Sequence, residues 1–263
     1  MGEPGAFATL VTNPDYVTGA LALARSLERV GTAFPLIVLA TTAAGAEVEK
    51  LEAENCRIVE VGRLPLSTDF EVRHNRAAQH AAAPFTKGQK PDFHDPLANF
   101  AKLRLWQLEG YERIVFLDAD TIVIKPIDKL MGYPEFSAAP NLYESLADFH
   151  RLNSGVFVAR PDGRTFDAML ARLDDGETFW RRTDQTFLET FFADWHGLPW
   201  TVNALQYAYL NLPALWHWPA IRVVHYQYEK PWDREHGKAR ALQPLIDLWW
   251  AVYERRPYPP ILP

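Results

Sequence analysis

A single cysteine, Cys56, stands in a chain of 263 residues, so no internal disulfide can form and a reducing compartment is expected. Basic residues are also scarce. Lysine and arginine number 27 against 33 aspartates and glutamates, a net charge of −6, which argues against nucleic acid as a partner because backbone phosphates require a basic face. No apolar run approaches the roughly 20 residues that span a bilayer. Residues 1–6 carry neither a basic region nor an apolar segment, so no signal peptide is expected, and Ala6 stands where a myristoylated Gly2 would need Ser or Thr. The expected location is cytoplasmic. Internal repeats, low-complexity tracts and linkers are absent too, so residues 1–263 read as one domain.

What is present is an alternation of short apolar runs and amphipathic stretches. Residues 5–11 form an apolar strand. Asn13 can cap the following helix, with Pro14 at its first position and Asp15 at the positive end of its dipole. Val17, Ala20, Leu21, Ala24 and Leu27 mark one face of that helix and Gly31 ends it. A strand over 34–40, a helix over 45–54 and a strand over 57–61 follow. Strand–helix–strand–helix–strand predicts an α/β fold with a mostly parallel central sheet flanked by helices.

Residues 63–95 break the rhythm, with Pro65, Pro84 and Pro91 among Arg73, His74, Arg76, Lys87 and Lys90. Such a stretch reads as a long loop, either a solvated one or a lid over an acceptor site. Beyond it the pattern predicts a helix over 97–109, strands near 114–117, 121–124 and 154–159, helices over 163–173 and 184–192, a strand over 221–226 and a closing helix over 242–253.

The most informative segment is Tyr111-Glu-Arg-Ile-Val-Phe-Leu-Asp-Ala-Asp120, an apolar strand ending in two carboxylates one residue apart. Strand side chains alternate, so Asp118 and Asp120 point one way and can converge on a hard cation at the sheet's carboxyl edge. His225, ending the run Arg222-Val-Val-His225, can add a nitrogen ligand, a donor set that suits Mn²⁺ better than Mg²⁺. Lys230, on a proline-stiffened loop, can neutralise a diphosphate. In isolation each has a plainer reading: a turn for the Asp pair, a core histidine, and solvated faces for Lys102 and Lys230. Asn153-Ser154 and Asp184-Gln185 open a strand and a helix, where capping explains them as well as sugar binding does. Seven of nine tryptophans fall after residue 190 and read as aromatic core.

Together these blocks resemble glycosyltransferase family 8 nearly end to end. Ala8-Thr-Leu-Val-Thr-Asn-Pro-Asp-Tyr16 is similar to the family's opening strand and nucleotide turn. Asn99–Trp106, Phe116–Asp120, Asn153–Val158, Asp184-Gln185 and His225–Trp232 match its later blocks in order, and residues 242–253 resemble the closing helix of its galactinol synthase branch. The resemblance implies a GT-A fold, a single Rossmann-like domain, and a retaining transfer of a hexose (glucose or galactose) from a UDP-sugar. The acceptor would be a hydroxyl on an inositol or other polyol, a saccharide or a lipid-linked sugar. It further implies Mn²⁺ on Asp118, Asp120 and His225, with Leu10, Thr12 and Tyr16 on the uridine. Lys102, Asn153, Ser154, Asp184 and Gln185 would surround the donor sugar and Lys230 the diphosphate, with Asn13, Asn99 and Ala119 also among the donor-binding residues.

Two positions depart from the family pattern. Arg181 stands where glycogenin-like members have an acidic residue, and Tyr226-Gln-Tyr-Glu229 lacks the glycine usual between the histidine and the lysine. Retention has two routes: Asp184 as a covalent nucleophile, or same-face transfer with Gln185 beside the reacting centre. Alternative functions are a non-catalytic UDP-sugar-binding protein and a self-glucosylating primer. A sugar-nucleotide pyrophosphorylase is set aside, because Thr12-Asn-Pro-Asp15 replaces its glycine-rich loop. Trp249-Trp-Ala-Val-Tyr-Glu-Arg-Arg256 joins aromatics to arginines, as membrane-contacting segments do, and also fits a packed helix.

Overall fold

The computed structural model of the protein describes residues 5–82 and 91–260. The chain opens with β1 (Ala6–Val11), α1 (Pro14–Arg29), β2 (Leu36–Thr41), α2 (Glu49–Glu52) and β3 (Arg57–Val61). Next come α3 (Thr68–His74), α4 (Arg76–Ala82), β4 (Ile114–Leu117), β5 (Thr121–Val123), β6 (Ser137–Pro140) and β7 (Leu152–Ala159). Helices α5 (Gly163–Leu173) and α6 (Asp184–Phe191) precede β8 (His196–Gly197), β9 (Ala204–Leu205), α7 (Gln206–Asn211), β10 (Val223–His225) and α8 (Ala239–Tyr253).

Seven strands form the main sheet in the order β3-β2-β1-β4-β7-β6-β8, and β5-β10-β9 form a second, smaller one. Four neighbouring pairs of the main sheet are parallel, and β7 runs antiparallel to both β4 and β6. Alternate residues of one strand enter different cores. Ala6, Ala8 and Leu10 of β1 pack with Trp106 and Phe157, while Phe7 and Val11 pack with Val17 and Leu21 of α1. A sheet covered on both faces is why β1, β2 and β4 read as unbroken apolar runs.

Helix α1 starts as its sequence dictates: the Asn13 side chain accepts from the Tyr16 N–H at 3.2 Å, and Pro14 opens the first turn. It lies close on the Asp118-Ala-Asp120 segment. A Cβ on Gly19 would meet the Ala119 carbonyl at 2.4 Å, so only glycine allows that approach.

Several expected elements differ. The helix expected over 45–54 is a 3₁₀ turn over Thr42–Val48, broken at Gly45 (φ 65°), followed by the four-residue α2. The helix expected over 97–109 is a 3₁₀ helix, Ala98–Gln107. The 63–95 stretch is not simply a loop: α3 and α4 lie inside it, each seven residues long and too short to show a helical period. Ser67 caps α3 by accepting from the Phe70 N–H at 3.1 Å. Pro84, Lys87 and Lys90 lie outside the described residues. Among those described, no helix is long and apolar enough to cross a membrane.

Candidate functional site

Strand β1 has β2 on one side and β4 on the other, so the direction of winding changes there. Crevices at such points, outside the carboxyl ends of the strands, receive ligands in open α/β sheets. A cavity of about 350 Å³ opens there. Leu10, Thr12, Tyr16, Asn99, Lys102, Asp118, Ala119, Asp120, Asn153, Ser154, Asp184, Gln185, His225 and Lys230 all line it. Asn13 does not. Its carbonyl oxygen caps α1 and its Nδ2 donates to the Phe93 carbonyl at 3.2 Å, so the side chain is spent on local structure.

The two aspartates converge by a different route from strand alternation. Strand β4 stops at Leu117, and Asp118-Ala-Asp120 forms a turn. The Asp118 carbonyl accepts from the Thr121 N–H at 3.0 Å and from its hydroxyl at 2.7 Å, while the Asp118 N–H donates to the Gly155 carbonyl at 2.8 Å. The Tyr226 N–H donates to the Asp120 carbonyl at 2.8 Å, which brings in the end of β10. His225 Nε2 lies 3.2 Å from Asp120 Oδ1 and 3.9 Å from Asp118 Oδ2. One ligand atom from each of the three residues falls within 4.8 Å of the others.

The imidazole tautomer follows from a chain of amides. The Gly155 backbone N–H donates to Asn153 Oδ1 at 2.9 Å, which fixes the Asn153 flip. Asn153 Oδ1 also accepts from Asn203 Nδ2 at 2.9 Å, so Asn203 turns Oδ1 toward His225 Nδ1, 2.8 Å away. The proton therefore sits on Nδ1, and the Nε2 lone pair faces two carboxylates. Three lone-pair donors pointing at one another repel unless a cation lies between them, so this set fits a divalent ion.

Two buried lysines flank the cluster. Lys102 Nζ lies 2.9 Å from Asp118 Oδ1, 2.9 Å from Asp184 Oδ2 and 3.2 Å from the Ser154 carbonyl. Only 4% exposed, it is not on a solvated face as its sequence context alone allowed. Burial disfavours its charge, but the two carboxylates hold its pKa above the ordinary lysine value. Lys230 pairs with Asp120 and donates to the Tyr226 carbonyl at 3.1 Å. Burial would raise the Asp120 carboxyl, yet the Lys230 ammonium holds it far below the usual range, whereas burial keeps Asp118 above it despite Lys102.

Asp184 opens α6 with both oxygens engaged. Ser154 Oγ donates to Oδ2 at 2.7 Å and Thr183 Oγ1 to Oδ1 at 2.9 Å. Asn153, Ser154 and Gly155 sit inside β7, at a register shift opposite Ala138 and Ala139 of β6, an irregularity that aims polar groups out of the sheet. In the loop between His225 and Lys230, which has no glycine, Tyr228 takes the left-handed backbone shape that glycine adopts most readily, with φ at 66°. Gln79, His94, Asn141, Tyr143 and Arg182 also line the cavity and escaped the sequence reading, since none stands in a motif. Gln227, from the segment that lacks the family's glycine, lines it too.

The sequence pattern of Glycosyl transferase family 8 matches residues 8–236. Human glycogenin-1 is 33% identical over 270 residues, which cover 94% of this chain and 71% of the human protein. UDP-glucuronate:xylan alpha-glucuronosyltransferase 1 of Arabidopsis thaliana is 27% identical over 98% of this chain, which spans 38% of that relative. The chain spans less than half the length of the plant relatives it matches. The galactosyltransferase LgtC, solved with donor and acceptor sugar analogs, superimposes with a TM-score of 0.63 over 97% of both chains at 16% identity. At that identity the likeness shows the fold alone, which is the GT-A form of α/β architecture. By the span of the family match and the identity to the human relative, the chain belongs to glycosyltransferase family 8.

Proposed function

We propose that the protein is a retaining transferase that moves a hexose, glucose or galactose, from a UDP-sugar to a hydroxyl of a polyol such as an inositol, a saccharide or a lipid-linked sugar. The observation that carries this reading is the joining of Asp118, Asp120 and His225 with two buried lysines in one cavity at the sheet's carboxyl edge. Mn²⁺ held by those three residues would supply positive charge against the diphosphate, usually the largest electrostatic contribution in such sites.

The remaining roles fall to the chain's own groups. Leu10, Thr12 and Tyr16 line the part of the wall formed by β1 and α1 and are assigned to the uridine. Lys230 carries three N–H donors and is assigned to the diphosphate, exchanging Asp120 for phosphate oxygens. Lys102 ties Asp118 to Asp184 and so couples the diphosphate end of the cavity to the sugar end. Asn99, Asn153, Ser154, Asp184 and Gln185 are assigned to the sugar hydroxyls, next to Ala119. Both Asp184 oxygens are held by other groups, which favours a positioning role over attack on carbon. Same-face transfer follows, with the acceptor proton passing to an oxygen of the departing diphosphate.

The test is UDP release from a panel of UDP-sugars, with Mn²⁺ and with chelator, over a set of hydroxyl acceptors. The plant relatives are named for UDP-glucuronate, so the panel includes it beside UDP-glucose and UDP-galactose. Metal-dependent UDP release with sugar retained on the acceptor supports the reading. Failure of UDP to bind in excess Mn²⁺ refutes it.

A further inference from the structure

Lys230, the cation assigned to the diphosphate, stands on a stretch of chain that belongs to no helix or strand. Its ammonium donates to the Tyr226 carbonyl at 3.1 Å, so its place depends on how residues 226–231 are held. The Tyr226 N–H is tied to the Asp120 carbonyl at 2.8 Å, and beyond it side chains of two helices take over. Gln206 Nε2, at the start of α7, donates to the Gln227 carbonyl at 2.5 Å and to the Glu229 carbonyl at 3.0 Å, on either side of Tyr228. The Tyr226 hydroxyl donates to the Leu245 carbonyl of α8 at 2.8 Å, and Trp250 Nε1 of α8 donates to the Pro231 carbonyl at 2.9 Å. The lysine is bracketed by two bonds to one helix.

The next residue completes the contact. Trp232 packs on Trp249 of α8 at a centroid distance of 5.5 Å, and a Cβ on Gly19 would come within 3.0 Å of the Trp232 ring and 2.4 Å of the Ala119 carbonyl. Helix α8, the lysine loop, α1 and the turn that carries Asp118 and Asp120 thus meet around one indole. The same packing accounts for the aromatic and arginine segment at residues 249–256. Trp249 is fully buried and Trp250 spends its N–H on Pro231, while Arg255 pairs with Glu28 and Glu54, and Arg256 with Glu254. These groups are engaged by the chain itself.

An ammonium acts on phosphate as a point charge at the end of a flexible stem, so small displacements of its anchor weaken it. Pro231 restricts the backbone of Lys230, and the bond from Trp250 fixes the direction of the peptide that follows. Resting on the assignment of Lys230 to the diphosphate, we propose that Trp250 is a positioning residue of the donor site, through which α8 sets where the Lys230 ammonium stands. The matched family pattern ends at residue 236, so this helix lies outside it.

Calorimetry of the full chain in Mn²⁺ compares UDP with UMP, which lacks the second phosphate. Trp250→Phe keeps an aromatic ring on α8 and removes the N–H. It should weaken UDP by about three- to tenfold, the range one hydrogen bond commands, and UMP by less than about twofold. Tyr226→Phe removes the other bond to α8 and should do the same, and it carries the test alone if Trp250→Phe does not fold. In a Lys230→Met background, where UDP is already weakened, adding Trp250→Phe should change nothing further, because the tryptophan acts through the lysine. The proposal is overturned if both aromatic variants lower the thermal midpoint but keep the wild-type ratio of UDP to UMP affinity, the outcome of a merely structural role. It is also overturned if Trp250→Phe weakens UDP as much without the lysine as with it. Wild-type UDP affinity in Lys230→Met would take the lysine off the diphosphate, and the proposal with it. Absence of UDP binding in the wild type is a different failure, and refutes the UDP-sugar reading itself.

Discussion

Gly155 lies flat against the imidazole of His225: a Cβ built on it would stand 2.4 Å from Cε1 and 2.6 Å from Nδ1. The glycine also delivers the N–H that fixes Asn153 and, through Asn203, the histidine's tautomer. Gly155→Ala should therefore tilt the ring and loosen its bond to Asn203. Losing such support for a metal ligand typically costs about 10–100-fold in metal affinity. Titration with Mn²⁺ followed by electron paramagnetic resonance reads this directly, with circular dichroism as the folding control. Wild-type affinity in a folded variant would show that the ring does not need this wall.

Asp120 serves two masters, the metal-ligand cluster and Lys230. Asp120→Asn keeps the shape but removes the charge, leaving a buried ammonium beside an amide. UDP affinity in Mn²⁺ should drop to the level of the chelated wild type, and chelator should have no further effect on the variant. The thermal midpoint should fall as well, because removing one partner strands a buried charge. A variant whose UDP binding still responds to chelator would take Asp120 out of the ligand set.

Legibility in the sequence followed how local each feature is. Asn13, Pro14 and Asp15 announce α1 because capping is decided within one turn. The buried runs of β1, β2 and β4 announce a covered sheet. Asp118 and Asp120 were found as a pair, but for the wrong geometric reason, since a turn and not a pleat brings them together. Lys102 was ambiguous because its carboxylate partners stand 16 and 82 residues further along the chain. Asn203 was not legible at all. Its hold on the His225 ring comes from Asn153 of β7 and His225 of β10, residues far from it in the chain, and no local pattern marks it.

A buried histidine away from the metal-ligand cluster sets a pH dependence. His74 stacks between Phe70 and Phe179, at centroid distances of 4.1 and 5.2 Å. Nδ1 donates to the Phe70 carbonyl at 3.0 Å, and Nε2 accepts from the Trp180 N–H at 2.9 Å. Burial holds the pKa below 6.5, so between the folded and unfolded values the unfolded chain binds more protons. The stabilisation is complete above the unfolded pKa and is lost as pH falls through and below it. Thermal midpoints measured from pH 8 to pH 5 should decline for the wild type. In His74→Phe the midpoint at pH 8 should be lower, for want of a partner to the Trp180 N–H, and the decline should be shallower. An equal slope in both proteins would assign the acid sensitivity elsewhere.

Asp184 decides between the two retaining routes. As a nucleophile it would need an oxygen free to attack, yet Oδ2 faces Lys102 and Ser154 and Oδ1 faces Thr183. Lys102 is held charged at its side, which keeps electron density on the carboxylate low. Asp184→Asn keeps the hydroxyl contacts while removing the charge that holds Lys102. Under the positioning role the variant should lose turnover by about 10²-fold, the scale of a misplaced substrate, and should not vanish altogether. A nucleophile's loss would be closer to complete, and azide added to Asp184→Ala would then take the vacated place opposite the departing diphosphate and restore turnover as a glycosyl azide of inverted configuration. Intact-protein mass spectrometry of the wild type with UDP-sugar and no acceptor supplies the second arm. A hexosyl adduct localised to Asp184 would overturn the same-face route, because that route forms no bond between the sugar and the enzyme.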